Sequence, residues 1–152
     1  MLILRSGRRA GTVTAHEEIV RRVLAEVVDG GDDSVLPALV AESYIDHTPM
    51  GDVTGHEGFR GFLDQFRQAM PGFHHDVSDV KEMGGGYVVF QVHFTGTFTG
   101  SFMGTEGDGR TIELYVANGA RFDNGKLAEH WGLGPDSGAE IMSQMGINLT
   151  PA

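Results

Sequence analysis

The residues best suited to chemistry lie in one stretch, Thr111 to Leu133, which reads TIELYVANGARFDNGKLAEHWGL. Asp123-Asn124-Gly125 is a turn signal between two alternating runs, so the stretch predicts an antiparallel hairpin. Strand side chains alternate between faces, which puts Ile112, Leu114, Val116, Ala120 and Phe122 together. Asn118 is the polar residue on that apolar face. In the second run Ala128, His130 and Gly132 share one face, and Leu127, Glu129, Trp131 and Leu133 share the other. An imidazole between small residues, opposite an amide on an apolar face, suggests a pocket wall. Free histidine titrates near 6.5, so an imidazole here is a candidate general base, His130. Asn118 is the candidate polariser, its amide donating to a carbonyl or a developing enolate. A purely structural hydrogen bond is the competing reading for each.

Tyr44-Ile45-Asp46-His47 is a short extended piece stopped by Thr48-Pro49. Adjacent strand residues diverge, so Asp46 and His47 form no direct dyad. His47 is expected at the pocket mouth as an assisting acid or orienter, because the other parity would turn Ile45 out of the core. His74-His75 lacks metal-ligand spacing even with Asp76 and His93 added, so a solvated strand face and no metal are expected. His16 and His56 fall in helix first turns and are expected to be exposed.

Helical spacing of Ile19, Val20, Val23, Leu24, Val27 and Val28 predicts a first helix, opened by a Thr14–Glu17 capping box and ended by Gly30-Gly31. Asp33 is placed to cap a short second helix through Leu36, Leu39 and Val40. A second capping box, Thr54 to Glu57, precedes an amphipathic helix with Phe59, Phe62, Leu63, Phe66 and Met70 on one face, closed by Pro71. Phe66 and Met70 are the candidate floor of a substrate pocket. Phe73 to Met83 reads as a polar edge strand and Tyr87 to Phe98 as a long central one, with Val88, Phe90, Val92, Phe94 and Phe98 on one face. The glycine-rich loop Thr99 to Arg110 carries Phe102 and Met103, candidates for a lid over bound substrate or for a subunit contact. It does not resemble a phosphate-cradling loop. Asp136 is placed to cap a last helix. The pattern is α+β, with helices first and a curved antiparallel sheet after them.

With 152 residues, one core is expected, residues 14–149 forming a single domain after an extension at 1–13. The net charge of −10, from 11 basic and 21 acidic residues, argues against nucleic acid and anionic membrane as partners. Without cysteine there is no disulfide, thiolate catalysis or Cys-type metal site, and a cytoplasmic location is expected. No apolar run approaches the roughly 20 residues of a membrane span. The two-sided apolar stretch Tyr87 to Val92, with Leu127, Trp131 and Leu133 turned outward, predicts a homodimer.

Tyr44-Ile45-Asp46-His47, Gly58-Phe59-Arg60, Phe73-His74-His75-Asp76-Val77, Phe94-Thr95-Gly96-Thr97, Arg121 to Lys126 and Glu129-His130-Trp131, in this order, resemble the SnoaL-like polyketide cyclase family of the nuclear-transport-factor-2-like superfamily. The resemblance covers roughly Glu17 to Ile147. It implies a cone-shaped fold around a central pocket, a dimer through the outer face of the sheet, and acid–base chemistry without a cofactor. It also implies an aspartate two positions after the histidine of the last strand, where this chain has Gly132, and a histidine where it has Asn118. The acid–base pair of the family's cyclases is therefore missing, which weighs against aldol cyclisation by their mechanism. The expected activity is proton transfer on a small, largely apolar carbonyl or polyketide-like compound, the alternative being a binding protein without turnover.

Overall fold

Val20, Val23, Val27 and Val28 are buried along one face of the first helical stretch, as their spacing predicts. The computed structural model describes residues 13–133 and 137–147. The stretch begins as α1 (Ala15–Arg22), whose N-cap Thr14 Oγ1 accepts from the Glu17 amide at 3.1 Å. Only this half of the capping box forms, because the Glu17 carboxylate turns to Arg21 instead. From Val23 to Asp29 the helix widens to π winding and ends at Gly30. Asp32, not Asp33, caps the next turn, its carboxylate accepting from the Ser34 amide at 3.0 Å. α2 is Leu36–Leu39, and α3 is Gly55–Ala69 with Phe59 and Leu63 buried. Thr54 makes no side-chain cap bond, so the second capping box does not form.

The strands are β1 (Val40–Thr48), β2 (Gly51–Thr54), β3 (His74–Gly84), β4 (Tyr87–Phe98), β5 (Ser101–Phe102), β6 (Thr105–Glu106), β7 (Arg110–Asp123) and β8 (Lys126–Leu133). Six of them form one curved, unclosed sheet in the order β2-β1-β8-β7-β4-β3, and β5 with β6 makes a separate ribbon. The helices cover its concave face, where Val88, Phe90, Val92, Phe94, Ile112, Ala120 and Phe122 meet them to form the core. This is an α+β cone. Its sheet is antiparallel except where β1 runs parallel to β8. No described helix is long and apolar enough to cross a membrane.

The predicted hairpin is β7–β8, closed by Asn124 and Gly125 at positive φ. β8 departs from strict alternation. Arg121 pairs with Glu129 but Phe122 pairs with Leu127, so Ala128 is an extra residue on β8. The bulge turns Leu127 to the concave side, where it is 6% exposed, whereas strict alternation put it outside. Two other histidines also depart from expectation. His56 is half-buried, its Nε2 donating to the Val40 carbonyl at 2.7 Å, and His16 stacks on Phe122 while contacting Glu82. Residues 1–12 of the extension predicted at 1–13, and the cap at Asp136, lie outside the described residues.

On the convex face Trp131 lies across Gly119, its cross-strand partner. A Cβ at Gly119 would stand 2.7 Å from the indole, so only glycine fits beneath the ring. Gly119→Ala is expected to cost about 1–3 kcal/mol of stability through overpacking. The chain has one tryptophan, so its emission should shift in the same variant. Thermal melts and fluorescence identical to wild type would contradict this packing.

Candidate functional site

Three adjacent strands turn polar side chains into the concave face. On β1 the inward positions are Tyr44 and Asp46, both buried, with His47 exposed on the other side. His130 of β8 is the pairing partner of Asp46, and Asn118 of β7 is paired with Gly132, two residues beyond His130. His130 Nδ1 donates to Asp46 Oδ1 at 2.8 Å, and its Nε2 stands 2.9 Å from Asn118 Oδ1. Asn118 Nδ2 in turn donates to the Val116 carbonyl at 3.1 Å. Tyr44 donates its hydroxyl to Asp46, and burial, with the Asp46 carboxylate beside it, pushes that hydroxyl well above the ordinary value of 10. Tyr44 therefore stays neutral and acts as a donor.

Hydrogen-bond direction fixes where the protons sit. The Val116 carbonyl needs a donor, so the Asn118 amide nitrogen faces it and the amide oxygen faces His130. That oxygen requires a proton on Nε2, and the Asp46 carboxylate requires a proton between itself and Nδ1. The imidazole is thus gripped between two acceptors and set to donate from Nε2. Asp46 and Asn118, 8% and 6% exposed, are the buried polar residues among those described. Both bond to this one ring.

The ring opens on a cavity of about 520 Å³, within the ordinary range for small-molecule sites. Phenylalanines dominate its wall: Phe59, Phe62 and Phe66 from α3, Phe73, and Phe90 and Phe94 from β4. Gly132 also lines it. The cavity has a carboxylate all the same, supplied from β1 by Asp46. Among the described residues no group of three or more His, Cys, Asp or Glu could hold a metal ion.

Of the residues picked from sequence, His130, Asn118 and Phe66 come together on this cavity. His47 does not join them. It borders the cavity mouth, but its Nδ1 contacts Asp52 at 2.8 Å and its Nε2 contacts Glu129 at 3.0 Å, on the convex side. The parity of β1 is the reverse of that expected, Ile45 being half-buried against the outer face with Glu129 as its partner. Met70 is fully buried behind the wall, next to Gly96. Phe102 is buried against Phe66 at 5.0 Å, while Met103 is exposed at the tip of the β5–β6 turn. Neither residue of that loop is among those lining the cavity. Asp46 and Tyr44 are the residues that strand parity left out. His75, expected on a solvated face, lines the cavity.

On the convex side, hydrogen bonds to Glu129 and then to Asp52 raise the His47 imidazole above its usual 6.5. Glu129 is lowered below 4.5 by its hydrogen bond with His47, and Arg121 adds to this. A raised histidine contributes stability that is complete below 6.5 and is lost as pH rises through the folded value. Wild type should therefore lose more melting temperature than His47→Gln between about pH 6 and about pH 8, the range in which histidine titrates. Equal slopes in the two proteins would contradict the contact.

A family model for SnoaL-like polyketide cyclase matches residues 18–143, and the chain belongs to that family. Among solved structures it is similar to a proposed SnoaL-like polyketide cyclase from Jannaschia sp. CCS1, with 21% identity over 93% of this chain and 97% of that one and a TM-score of 0.75. IdmH, a proposed polyketide cyclase from Streptomyces antibioticus, is 25% identical over 87% of this chain and 99% of its own, at a TM-score of 0.69. AclR, a proposed hydroxylase from Streptomyces galilaeus, is 16% identical over 91% and 89%, at 0.70. No curated protein matches the sequence.

Proposed function

We propose that this protein is a cofactor-independent acid–base enzyme acting on a small, largely apolar carbonyl or polyketide-like compound in the central cavity. One observation carries the reading: the two buried polar side chains among the described residues, Asp46 and Asn118, both bond to His130 inside a phenylalanine-lined cavity. Burying polar groups there is costly unless they are paired, and pairing them all to a single titratable ring gives that cost a use. A substrate carbonyl entering beside Asn118 would compete for the proton on His130 Nε2. His130 would protonate or hydrogen-bond the oxygen as charge develops, and Asp46 would stabilise the ring and hold its orientation. The second amide hydrogen of Asn118 is free to polarise the same oxygen. Asp46 takes the orienting role that the sequence suggested for His47. A cytoplasmic location completes the reading, supported by the absence of cysteine.

Turnover of small aromatic and β-dicarbonyl ketones, followed by absorbance, tests this reading. His130→Gln should keep the fold and lower turnover by about 10²–10⁴-fold, the usual share of a general acid–base group. An unchanged rate would remove His130 from the chemistry. A second reading, a binding protein without turnover, is favoured by one feature: both His130 nitrogens are already satisfied by protein acceptors. Wild type that binds such ketones saturably and converts none would support it.

We also infer a homodimer formed through the convex face of the sheet. Tyr87 and Tyr115 are 45% and 72% exposed there, and Trp131 lies beside Tyr87 with ring centroids 6.1 Å apart. Aromatic surface of this kind is typical of protein contacts. Sedimentation at micromolar concentration should give twice 16.4 kDa, and a species of 16.4 kDa would contradict the dimer.

A further inference from the structure

We propose that His75, held by Asp29, is a second polar anchor of the same cavity, which therefore takes an elongated, largely apolar molecule with an oxygen at each end. This inference rests on the reading of the cavity as a small-molecule site, and it specifies the class of ligand.

Asp29 closes the π-wound segment and reaches across to β3. Its carboxylate accepts from the His75 backbone amide at 2.9 Å and from His75 Nδ1 at 2.7 Å, and His74 Nδ1 lies 3.0 Å away. A carboxylate at that distance requires the proton to be on Nδ1. Nε2 is then the remaining polar atom of the ring, and no described residue meets it. His130 has no such vacancy, since both of its nitrogens are bonded.

The position of His75 makes that atom available to a ligand. His75 shares the concave side of β3 with Val77 and pairs with Phe94 of β4. Its ring meets Phe94 and Phe73 edge-on at 5.0 and 5.5 Å, and all three residues line the cavity. The side chains of His75 and Asp29 are 19% and 12% exposed, so the pair is largely shielded from solvent. A two-point bond from Asp29 to ring and backbone holds the imidazole in one orientation, as a built binding group requires.

The sheet gives the spacing. Phe90 pairs with Asn118, and its ring stands 6.3 Å from His130; Phe94, four residues further along β4, pairs with His75. Four residues of strand rise about 13–14 Å. Phe90, Val92 and Phe94 make the apolar wall between the two polar ends. A small ketone would reach one end only, whereas two or three rings in line, with a hydroxyl to donate to His75 Nε2 at one end and a hydroxyl or carbonyl at the His130 end, would engage both.

The rod-shaped pair 4-hydroxybiphenyl and 4,4′-dihydroxybiphenyl tests this, because the two differ only in the second hydroxyl. By calorimetric titration wild type should bind the dihydroxy compound about three- to tenfold more tightly, the gain of one net hydrogen bond. In His75→Phe that ratio should fall to about one while the monohydroxy compound still binds, since the second hydroxyl loses its partner. An unchanged ratio would overturn the anchor and leave the cavity reading intact. If neither biphenyl binds wild type saturably, both fall. Long-range nitrogen–proton NMR of unsubstituted protein covers the case in which the variant does not fold. The dihydroxy compound should shift the Nε2 resonance of His75 as well as the ring resonances of His130, and movement at His130 alone would refute the anchor.

Discussion

The centre of this protein depends on one constraint: a carboxylate, Asp46, is held 8% exposed against a wall of phenylalanine. An unpaired charge there would cost several kcal/mol. Tyr44 and His130 remove that cost by donating to it from the same strand and from the next one. Asn118 then satisfies the far side of the imidazole, and the Val116 carbonyl satisfies Asn118. No buried side-chain nitrogen or oxygen among the described residues lacks a partner. The chain of donors fixes one proton arrangement, and in that arrangement His130 can give a proton to whatever displaces Asn118.

The sheet exists in the form this network needs. β1 lies parallel to β8, so Asp46 and His130 fall side by side, and β7 pairs antiparallel on the other edge of β8 to bring Asn118 round. The bulge at Ala128 adds a residue without disturbing the pairing of His130 with Ala120. The carboxylate beside His130 comes from β1. Gly132 faces the cavity without one, and β1 brings Asp46 to the opposite side of the same imidazole.

Much of this was legible in the residues themselves. The valines of the first helical stretch, Phe59 and Leu63 of α3 and the alternation of β4 each bury the face that their spacing assigns. Asn118 stood out because it is the polar position in an apolar row, and His130 because its neighbours are small. Strand parity was the harder matter. On β1 the choice between Asp46 and His47 turned on Ile45, which the outer face accepts half-buried between its strand partners Thr54 and Glu129. Leu127 was misassigned because a bulge leaves no mark in a sequence of small and apolar residues. His75 gave no signal at all, since the partner that orients it, Asp29, lies 46 residues away on another element. Phe102 looked like a lid because the ring it packs against, Phe66, lies on another element, α3.

The central claim is that the Asp46–His130–Asn118 cluster moves protons at a carbonyl in this cavity. It can be measured without knowing the natural substrate, by incubating the protein with 2-tetralone in deuterium oxide and following deuterium entry next to the carbonyl by mass spectrometry. With His130 donating to the carbonyl oxygen and water taking the α-proton, wild type is predicted to speed exchange above the buffer rate, and His130→Gln to return it to that rate while still binding the ketone. Exchange at the buffer rate in wild type, with 2-tetralone shown to be bound, would contradict the account.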